Sequence, residues 1–411
     1  MQFKDLQLNK PILRAIAEKG YEIPTPVQLQ TIPLLLAKKD VIASAQTGTG
    51  KTAAFALPIL QLLFDKQDAS KKGKKIRALV VSPTRELAIQ IEESFKSYSK
   101  YTSLTTAVIF GGTAIDPQIV MLKKGVDVLI ATPGRLLDLH KQELVNLSFI
   151  ETLVLDEADL MLDMGFIDDV KKIERLCPKS KQIALFSATM PQKVVELANT
   201  ILNEPEKIDV TPTQSTAEGI NEWLYYVPKT KKMELCLHLL RNTIKGDILI
   251  FRRTKFGVGK LEKMLRKNGF KVDSIHGDKT QNDREDALNR FKNKDISILI
   301  ATDVASRGID INHLDAVINF DIPNIPETYI HRIGRTGRAG NLGTSYSFCA
   351  ADEKIYIQSI QKLINTSIPV VEDHPYPLDP NAAPEVYFKK GSNIKKGRKS
   401  EASKKNKKRW Y

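Results

Sequence analysis

Asp40-Val41-Ile42-Ala43-Ser44-Ala45-Gln46-Thr47-Gly48-Thr49-Gly50-Lys51-Thr52 is the stretch that decides the fold. Its apolar start predicts a short strand, and Thr52–Phe64, apolar on one face, predicts a helix. A glycine-rich turn between a strand and a helix directs backbone N–H groups toward an anion, and the helix N-terminus adds partial positive charge. Lys51 can reach the β- and γ-phosphates of a nucleotide, and the Thr52 hydroxyl can bind Mg²⁺. The stretch therefore predicts a nucleoside triphosphate site.

A chance Gly-Lys-Thr in a surface turn is the alternative, since the generic phosphate loop begins with Gly and this one begins with Ala45. An acidic partner favours the nucleotide site. Asp156-Glu157-Ala158-Asp159 follows Thr152–Leu155, an apolar run that predicts a buried parallel strand. Carboxylates at the C-terminal end of such a strand lie where α/β sheets bind ligands. Asp156 would hold Mg²⁺, and Glu157 would orient or activate the attacking water.

Length and composition exclude several classes of protein. With 411 residues, 42% of them hydrophobic and 27% charged, the chain fits a globular protein of two domains. No apolar run approaches the ~18 residues of a membrane helix, and the N-terminus lacks a signal pattern. Cys177, Cys236 and Cys349 lie far apart, and the six histidines lack zinc-ligand spacing. We expect a cytoplasmic protein with buried, reduced thiols and no membrane contact.

The net charge of +14 is concentrated at the C-terminus. Lys389–Tyr411 holds eleven Lys or Arg and one acid, so this segment carries +10. It is nearly free of aliphatic residues, which predicts disorder. Such a tail favours a nonspecific nucleic-acid tether held by phosphate contacts. A solvated tail that only aids solubility is the alternative.

Short apolar runs alternate with helical patterns, which predicts an α/β fold with parallel sheets flanked by helices. The strands predicted in the first half, after the one at Asp40–Ala43, are Ile76–Ser82, Thr106–Phe110, Val126–Ile130, Thr152–Leu155 and Ile183–Phe186. Those predicted in the second half are Asp247–Phe251, Lys271–Ile275, Ile296–Ile300, Ala316–Phe320 and Thr344–Cys349. A stretch rich in Pro, Thr and Ser separates the halves. We predict a first domain over residues 1–205, a linker over 206–219, a second domain over 220–370 and a Pro-containing, then basic, disordered tail over 371–411.

The second half has no phosphate loop but contains His331-Arg332-Ile333-Gly334-Arg335-Thr336-Gly337-Arg338. Arginines interspersed with glycines suit an anion site, because flexible backbone can approach a phosphate closely. Arg335 and Arg338 are candidate arginine fingers for the γ-phosphate bound by the first domain. A solvated basic turn is the alternative from this stretch alone.

These motifs resemble the DEAD-box RNA helicases over about residues 1–370. The matching segments follow the family's order: Phe3 with Gly20–Gln28, Ala45–Thr52, Pro83–Ala88, Gly111–Gly112, Thr132–Arg135, Asp156–Asp159, Ser187–Thr189, Ile250–Thr254, His276–Asp278 with Gln281 and Arg284, Ala301–Asp310 and His331–Arg338. Ala45 is normal in this family, whereas Ser306 stands where many members have Ala. The residues of these motifs are most similar to those of the bacterial RhlE-type subgroup.

The resemblance implies two RecA-like domains, ATP as substrate and Mg²⁺ as its metal. It assigns ATP binding to Phe3, Tyr21, Gln28, Thr47, Gly48, Thr49, Gly50, Lys51, Thr52, Asp310, Arg335 and Arg338, and Mg²⁺ to Thr52 and Asp156. The implied catalytic residues are Glu157, Lys51, Asp156, Arg335, Arg338 and His331. A Gln amide can pair with adenine N6 and N7, so Gln28 favours ATP over GTP. Phe3 either stacks on the base or anchors the first helix in the core.

RNA is the implied partner, held by strand geometry and the 2′-hydroxyl rather than by base sequence. The implied RNA contacts are Pro83, Thr84, Arg85, Gly111, Gly112, Thr132, Arg135, Thr254, Gly277, Arg284, Thr302, Arg307 and Gly308. Ser187 and Thr189 would couple the nucleotide state to domain closure. The implied activity is an RNA-dependent ATPase that unwinds or remodels RNA duplexes and RNA–protein complexes locally. Ribosomal and RNA-decay assemblies are both compatible with it.

Two other functions would use the same two-domain ATPase. A DNA helicase or translocase would be stimulated by DNA as well as by RNA. An ATP-gated RNA clamp would use the same closed state without strand separation. A small-molecule kinase with a phosphate loop does not explain Arg335 and Arg338 in the second domain.

Overall fold

The computed structural model describes residues 1–45, 48–66, 75–210, 219–306, 311, 314–337 and 343–379. Strands and helices alternate along them. The strands are β1 Val41–Ser44, β2 Ala78–Val81, β3 Thr106–Ile109, β4 Val128–Ala131, β5 Thr152–Leu155, β6 Gln182–Ser187, β7 Glu206–Asp209, β8 Ile220–Tyr226, β9 Ile248–Phe251, β10 Val272–Ile275, β11 Ile298–Ala301, β12 Ala316–Asn319 and β13 Gly343–Cys349. The helices are α1 Lys10–Glu18, α2 Pro26–Leu36, α3 Lys51–Asp65, α4 Arg85–Tyr98, α5 Asp116–Lys123, α6 Pro133–Lys141, α7 Ala158–Asp163, α8 Ile167–Leu176, α9 Gln192–Ile201, α10 Lys232–Asn242, α11 Lys255–Lys267, α12 Gln281–Lys292, α13 Asp303–Ser306, α14 Pro326–Ile333 and α15 Lys354–Ile364.

The described strands form two sheets, and every strand pairing in them is parallel. The first sheet has the order β3-β4-β2-β5-β6-β1-β7, and the second has the order β10-β11-β9-β12-β13-β8. The predicted fold class is confirmed. The predicted strands agree with the observed ones to within two residues at each end.

Each sheet has a hydrophobic core on both of its faces. Successive side chains of a strand point to opposite sides, so one strand contributes to both cores. In β2, Val80 packs into a core with Phe55 and Phe186, whereas Leu79 and Val81 pack into a separate core on the other face. The rings of Phe55 and Phe186 lie 5.2 Å apart between centroids. The second sheet repeats this division, with Ile250 in one core and Leu249 and Phe251 in the other. The apolar runs of β2, β4, β5, β9 and β11 are therefore central strands, whereas β3 and β10 lie at the edges of their sheets.

The first domain extends beyond its predicted end at residue 205. Glu206–Asp209, assigned to the linker, forms β7 and pairs with β1, and Ile208 is buried in the core. This edge strand has one buried residue in four, so hydrophobic patterning does not reveal it. Most of the remaining predicted linker lies outside the described residues.

The second domain likewise extends past residue 370, so the prediction that the tail begins at 371 is wrong. The amides of Val371 and Leu378 donate to the carbonyls of Leu224 and Tyr226 in β8, both at 2.9 Å. The His374 ring lies 5.4 Å from that of Tyr225. This segment covers the exposed backbone of an edge strand, which would otherwise be open to pairing with another chain. The basic segment from Lys389 lies outside the described residues.

No helix in the described part of the chain combines the length and apolar character needed to cross a membrane. Cys177, Cys236 and Cys349 are buried, and none of them forms a disulfide bond. Burial raises the pKa of all three thiols to about 12, so they are inert packing residues.

A truncation tests where the second domain ends. We expect a variant ending at Asp379 to unfold like the full chain. A variant ending at Ser367 should lose more than about 2 kcal/mol of unfolding free energy in the second domain, because buried Ile368 and its neighbours are removed. Both variants lack Trp410, so in urea titrations Trp223 fluorescence reports on β8 alone. Equal midpoints would contradict the assignment.

Candidate functional site

Three of the motifs meet at the carboxyl edge of the first sheet because β5, β6 and β1 are neighbours in it. Asp156 follows β5, Ser187 ends β6, and Ala45 follows β1. The Ala45 amide donates to the Ser187 carbonyl at 3.0 Å, which joins the start of the phosphate loop to the next strand. Residues more than a hundred positions apart in sequence therefore line one crevice, where α/β sheets bind ligands.

Gly50 ends the phosphate loop with a left-handed backbone, φ 93°, directly before α3. A Cβ at this position would clash with the Gln28 side-chain amide, so only Gly fits. Gln28 Nε2 donates to the Gly50 carbonyl at 3.1 Å, and its Oε1 accepts from the Thr25 amide at 2.9 Å. The Gln28 amide keeps one further donor and one further acceptor position, which are the groups that adenine recognition requires.

Buried charges fill the floor of the crevice. Lys51 Nζ lies 2.7 Å from Glu157 Oε1, and the Lys51 side chain is 6% exposed. Burial alone would lower the pKa of Lys51, but the charges of Glu157 and Asp156 outweigh it and raise the pKa. Burial raises the pKa of Asp156 to about 7, against the lowering effect of Lys51. The site thus holds a carboxyl group that a further cation would stabilise in its ionised form.

Glu157 has a left-handed backbone at φ 55° and ψ 56° and precedes α7. A non-glycine residue in this region is strained by about 1–3 kcal/mol, and such strain clusters at active sites. The surrounding structure thus holds Glu157 in a conformation that non-glycine residues adopt at only seven described positions of this chain.

Asp159 ties the two motifs at the ends of β5 and β6 together. Its Oδ2 accepts from the Thr189 amide at 2.9 Å and from the Thr189 hydroxyl at 2.8 Å. The Ser187 hydroxyl accepts from the Asp159 amide at 3.1 Å and donates to the Thr189 carbonyl at 2.6 Å. A displacement at Asp156–Asp159 would therefore move Ser187 and Thr189 with it.

One cleft of about 1130 Å³ lies between the two domains. The first domain contributes its predicted ATP ligands Phe3, Tyr21, Gln28, Gly48, Gly50, Lys51 and Thr52, with Asp156 and Glu157. The second domain contributes His331 and Arg335 from the end of α14 and the turn after it. Phe3 is 4% exposed and packs in the core, so the structure places it as a core anchor that also borders the cleft.

The other half of the same sheet edge carries the predicted RNA contacts of the first domain. Gly111, Thr132 and Thr84 follow β3, β4 and β2, which are neighbours. The Thr84 side chain caps α4, accepting from the Leu87 amide at 3.3 Å.

Gly112 has φ 78°, and a Cβ there would clash with the Arg85 guanidinium. Arg135 Nη2 donates to the Thr113 carbonyl at 3.1 Å. Pro83 is buried beside Thr84.

Gln118, which the sequence did not single out, anchors the loop that contains Gly111 and Gly112. Its Oε1 accepts from the Phe110 amide at 3.1 Å. Its Nε2 lies within hydrogen-bond distance of the Phe110 carbonyl and of two acceptors at residues 113 and 114. The side chain is 6% exposed. Only the folded loop reveals this role, because nothing in the local pattern of α5 distinguishes Gln118 from a surface residue.

The second domain repeats the arrangement. Thr254, Gly277 and Thr302 follow β9, β10 and β11, which are neighbours in the second sheet. Thr254 caps α11 by accepting from the Gly257 amide at 3.1 Å. The predicted site residues Thr47, Arg307, Gly308, Asp310 and Arg338 lie outside the described residues.

An ion pair joins the two domains directly. Arg284 Nη2 lies 2.8 Å from Glu86 Oε1, with the side chains 16% and 6% exposed. Gln281 completes the contact: its Nε2 donates to Glu86 at 3.4 Å, and its Oε1 accepts from Arg85 at 3.3 Å. Nε of Arg284 is buried without a hydrogen-bond partner among the described residues. Two predicted RNA contacts, Arg85 and Arg284, therefore also hold the domains together.

Arg332 is a second residue that the sequence left without a role. Its side chain is 2% exposed, and its guanidinium contacts both Asp303 carboxylate oxygens, at 2.6 and 2.8 Å. It also donates to Asn319 and to the Asp321 carbonyl. These bonds fix α14 against the ends of β11 and β12, which positions His331 and Arg335 at the cleft.

Known proteins resemble this chain in both of its domains. The model of the DEAD/DEAH box helicase family matches residues 25–197, and the helicase conserved C-terminal domain matches residues 231–340. The ATP-dependent RNA helicase CshA of Limosilactobacillus reuteri is 40% identical over 387 residues, which cover 94% of this chain and 75% of the relative. The ATP-dependent RNA helicase RhlB of Shewanella piezotolerans is 40% identical over 95% of this chain and 91% of its own.

Solved structures show the same similarity. S. cerevisiae Dbp5 bound to RNA and ADP BeF3 has a TM-score of 0.80 and 31% identity, covering 90% of this chain and 95% of its own. Mss116p bound to single-stranded RNA and AMP-PNP has a TM-score of 0.81 and 31% identity, covering 90% of this chain and 79% of its own.

Charge exchange tests the ion pair between the domains. We expect Glu86→Arg or Arg284→Glu alone to reduce the docked fraction, measured by energy transfer between one dye on each domain. The double variant should restore it, with a coupling energy of about 0.5–3 kcal/mol. Exchanging Asp169 and Lys172, an ion pair within α8, is the matched control. Additive effects of the two substitutions would contradict a direct contact in solution.

Proposed function

The chain belongs to the DEAD/DEAH box helicase family, and we propose that it is an RNA-dependent ATPase that opens RNA duplexes locally and remodels RNA–protein complexes. The observation that carries the proposal is the interdomain cleft, which Lys51 of the first domain lines together with His331 and Arg335 of the second. A triphosphate held by the phosphate loop reaches toward Arg335, so ATP binding favours domain closure. The subgroup to which the chain belongs stays a prediction.

Mg²⁺ fits the residues present. Asp156 is a buried carboxyl group with a raised pKa, and Thr52 at the start of α3 lines the same cleft. The described residues hold no cluster of three or more His, Cys, Asp or Glu suited to a metal ion. Mg²⁺ typically binds through one or two carboxylates plus substrate phosphates, so a site completed by ATP is expected. When bound, the ion would neutralise negative charge on the phosphates.

Glu157 is the proposed catalytic base. Its carboxylate is bonded to Lys51, whose ammonium is the expected ligand of the β- and γ-phosphates. Phosphates that recruit Lys51 release Glu157 to orient the attacking water. Arg335, together with Arg338, stabilises the charge that develops on the γ-phosphate. Asp159 is hydrogen-bonded to Ser187 and Thr189, so a displacement of the Asp156–Asp159 segment on ATP binding or hydrolysis would also move these two residues.

RNA is the proposed second ligand. Loops at the carboxyl edges of both sheets supply hydroxyl groups, glycine backbones and arginines, which suit a phosphate chain rather than base edges. ATP and RNA each favour closure, so each strengthens binding of the other. The closed groove accepts a bent single strand and excludes a duplex, which separates base pairs. The tail from Lys389 is proposed as an electrostatic tether for RNA.

Ribosomal or RNA-decay assemblies are proposed as targets. A cytoplasmic location is proposed because the three cysteines are buried and form no disulfide bonds.

ATP hydrolysis without nucleic acid, with single-stranded RNA and with DNA of equal length tests the function. At fixed salt we expect strong stimulation by RNA and little by DNA, because 2′-hydroxyl contacts distinguish the two. Equal stimulation by DNA would replace the proposal with a general nucleic-acid translocase. If RNA stimulates ATP hydrolysis but no strands separate, and RNA dissociates slowly in the presence of a nonhydrolysable ATP analogue, the protein would be an ATP-gated RNA clamp instead.

Glu157→Gln tests the catalytic base. We expect this variant to bind ATP and RNA but to hydrolyse ATP more slowly by a factor on the order of 10²–10⁴, since proton transfer is lost. RNA should therefore dissociate slowly in the presence of ATP. Glu196→Gln on α9, an exposed glutamate, is the control. Normal turnover of Glu157→Gln would refute the assignment.

A further inference from the structure

Phe256 is 82% exposed, the most exposed large hydrophobic side chain in the described part of the chain. It lies in the first turn of α11, whereas Phe251 and Phe320 nearby are buried. Leaving an aromatic ring in water forgoes the free energy that burial would supply. The position therefore suits a ring that contacts a ligand.

The surroundings of Phe256 indicate which ligand. It follows Thr254, a proposed RNA contact, by two residues, and the run Arg253–Phe256 is exposed throughout. Lys255 Nζ lies 2.7 Å from Asp278 Oδ1, which ties this turn to the loop after β10 that contains Gly277. The ring thus stands near the edge of the second sheet that carries the proposed RNA contacts. Its neighbours in sequence, Arg253 and Lys255, are each paired with a carboxylate, of Glu353 and Asp278.

We propose that Phe256 is a stacking platform for an unpaired RNA base, an inference that rests on the proposed function. Every base has a π-face, so an aromatic ring beside a cationic backbone groove binds single strands without reading sequence. Backbone contacts alone do not distinguish a stacked strand from an unstacked one. Phe256 adds that distinction, because it captures a base whose face is open and thereby holds a separated strand.

The affinity for a single-stranded RNA oligonucleotide, measured in the presence of a nonhydrolysable ATP analogue, tests the stacking. Phe256→Ala should weaken binding about fivefold or more, and Phe256→Trp should restore it. The dependence of affinity on salt should not change, because no phosphate contact is removed. Ile355→Ala, which removes another exposed apolar side chain on α15, is the matched control and should bind like the wild type. Thermal unfolding of all variants should coincide.

A set of RNA oligonucleotides, each lacking one base at a different position, tests whether Phe256 acts by stacking on a base. Binding of each oligonucleotide is compared between the wild type and Phe256→Ala. In the wild type one abasic position should weaken binding, and in Phe256→Ala the same position should have no effect. Equal affinity of Phe256→Ala and the wild type, or an undiminished abasic effect in Phe256→Ala, would overturn the proposal and leave Phe256 as a surface for another protein. Wild-type ATP hydrolysis that RNA fails to stimulate would instead refute the proposed function.

Discussion

The parallel direction of every described strand is the constraint on which the site depends. It brings the carboxyl ends of all strands in a sheet to one edge, so motifs scattered along the chain become neighbours. In the first sheet β5, β6 and β1 present the nucleotide motifs, and β3, β4 and β2 present the proposed RNA loops. The two proposed ligands would thus share one edge, and a movement of the second domain against it would affect both.

Buried ion pairs lie at this edge of the first sheet, where the ligands are expected. Lys51 and Glu157 neutralise each other where a nucleotide's phosphates are expected, and Glu86 neutralises Arg284 across the domains. A buried charge is costly without a partner. If the proposed phosphates take over Lys51 or Arg284, the carboxylate left behind needs a new partner, so ligand binding would be linked to rearrangement of these pairs. Arg85 takes part in the interdomain contact while it also packs on Gly112, which connects domain docking to the proposed RNA loop.

The positioning residues form a layer behind these charges. Gln28 joins the adenine motif to the phosphate loop, Gln118 anchors the Gly111–Gly112 loop, and Arg332 fixes α14. Each is a buried polar side chain with several hydrogen bonds to loops. Such satisfied networks hold loops in one geometry, which anion-binding backbone requires.

The sequence by itself determined the fold class and eleven of the thirteen described strands to within two residues, whereas β7 and β8 were not predicted. It also predicted the phosphate loop with its acidic partner. These features depend on local patterns: apolar runs, glycine spacing and the order of motifs. The tertiary structure decided that Glu206–Asp209 is an edge strand, that residues 371–379 cover β8, and that Glu86 pairs with Arg284. It also gave Gln118 and Arg332 their roles. In each case the deciding contact joins residues that are distant in sequence or held in a folded loop, and local composition does not encode which partner a polar or edge residue will meet.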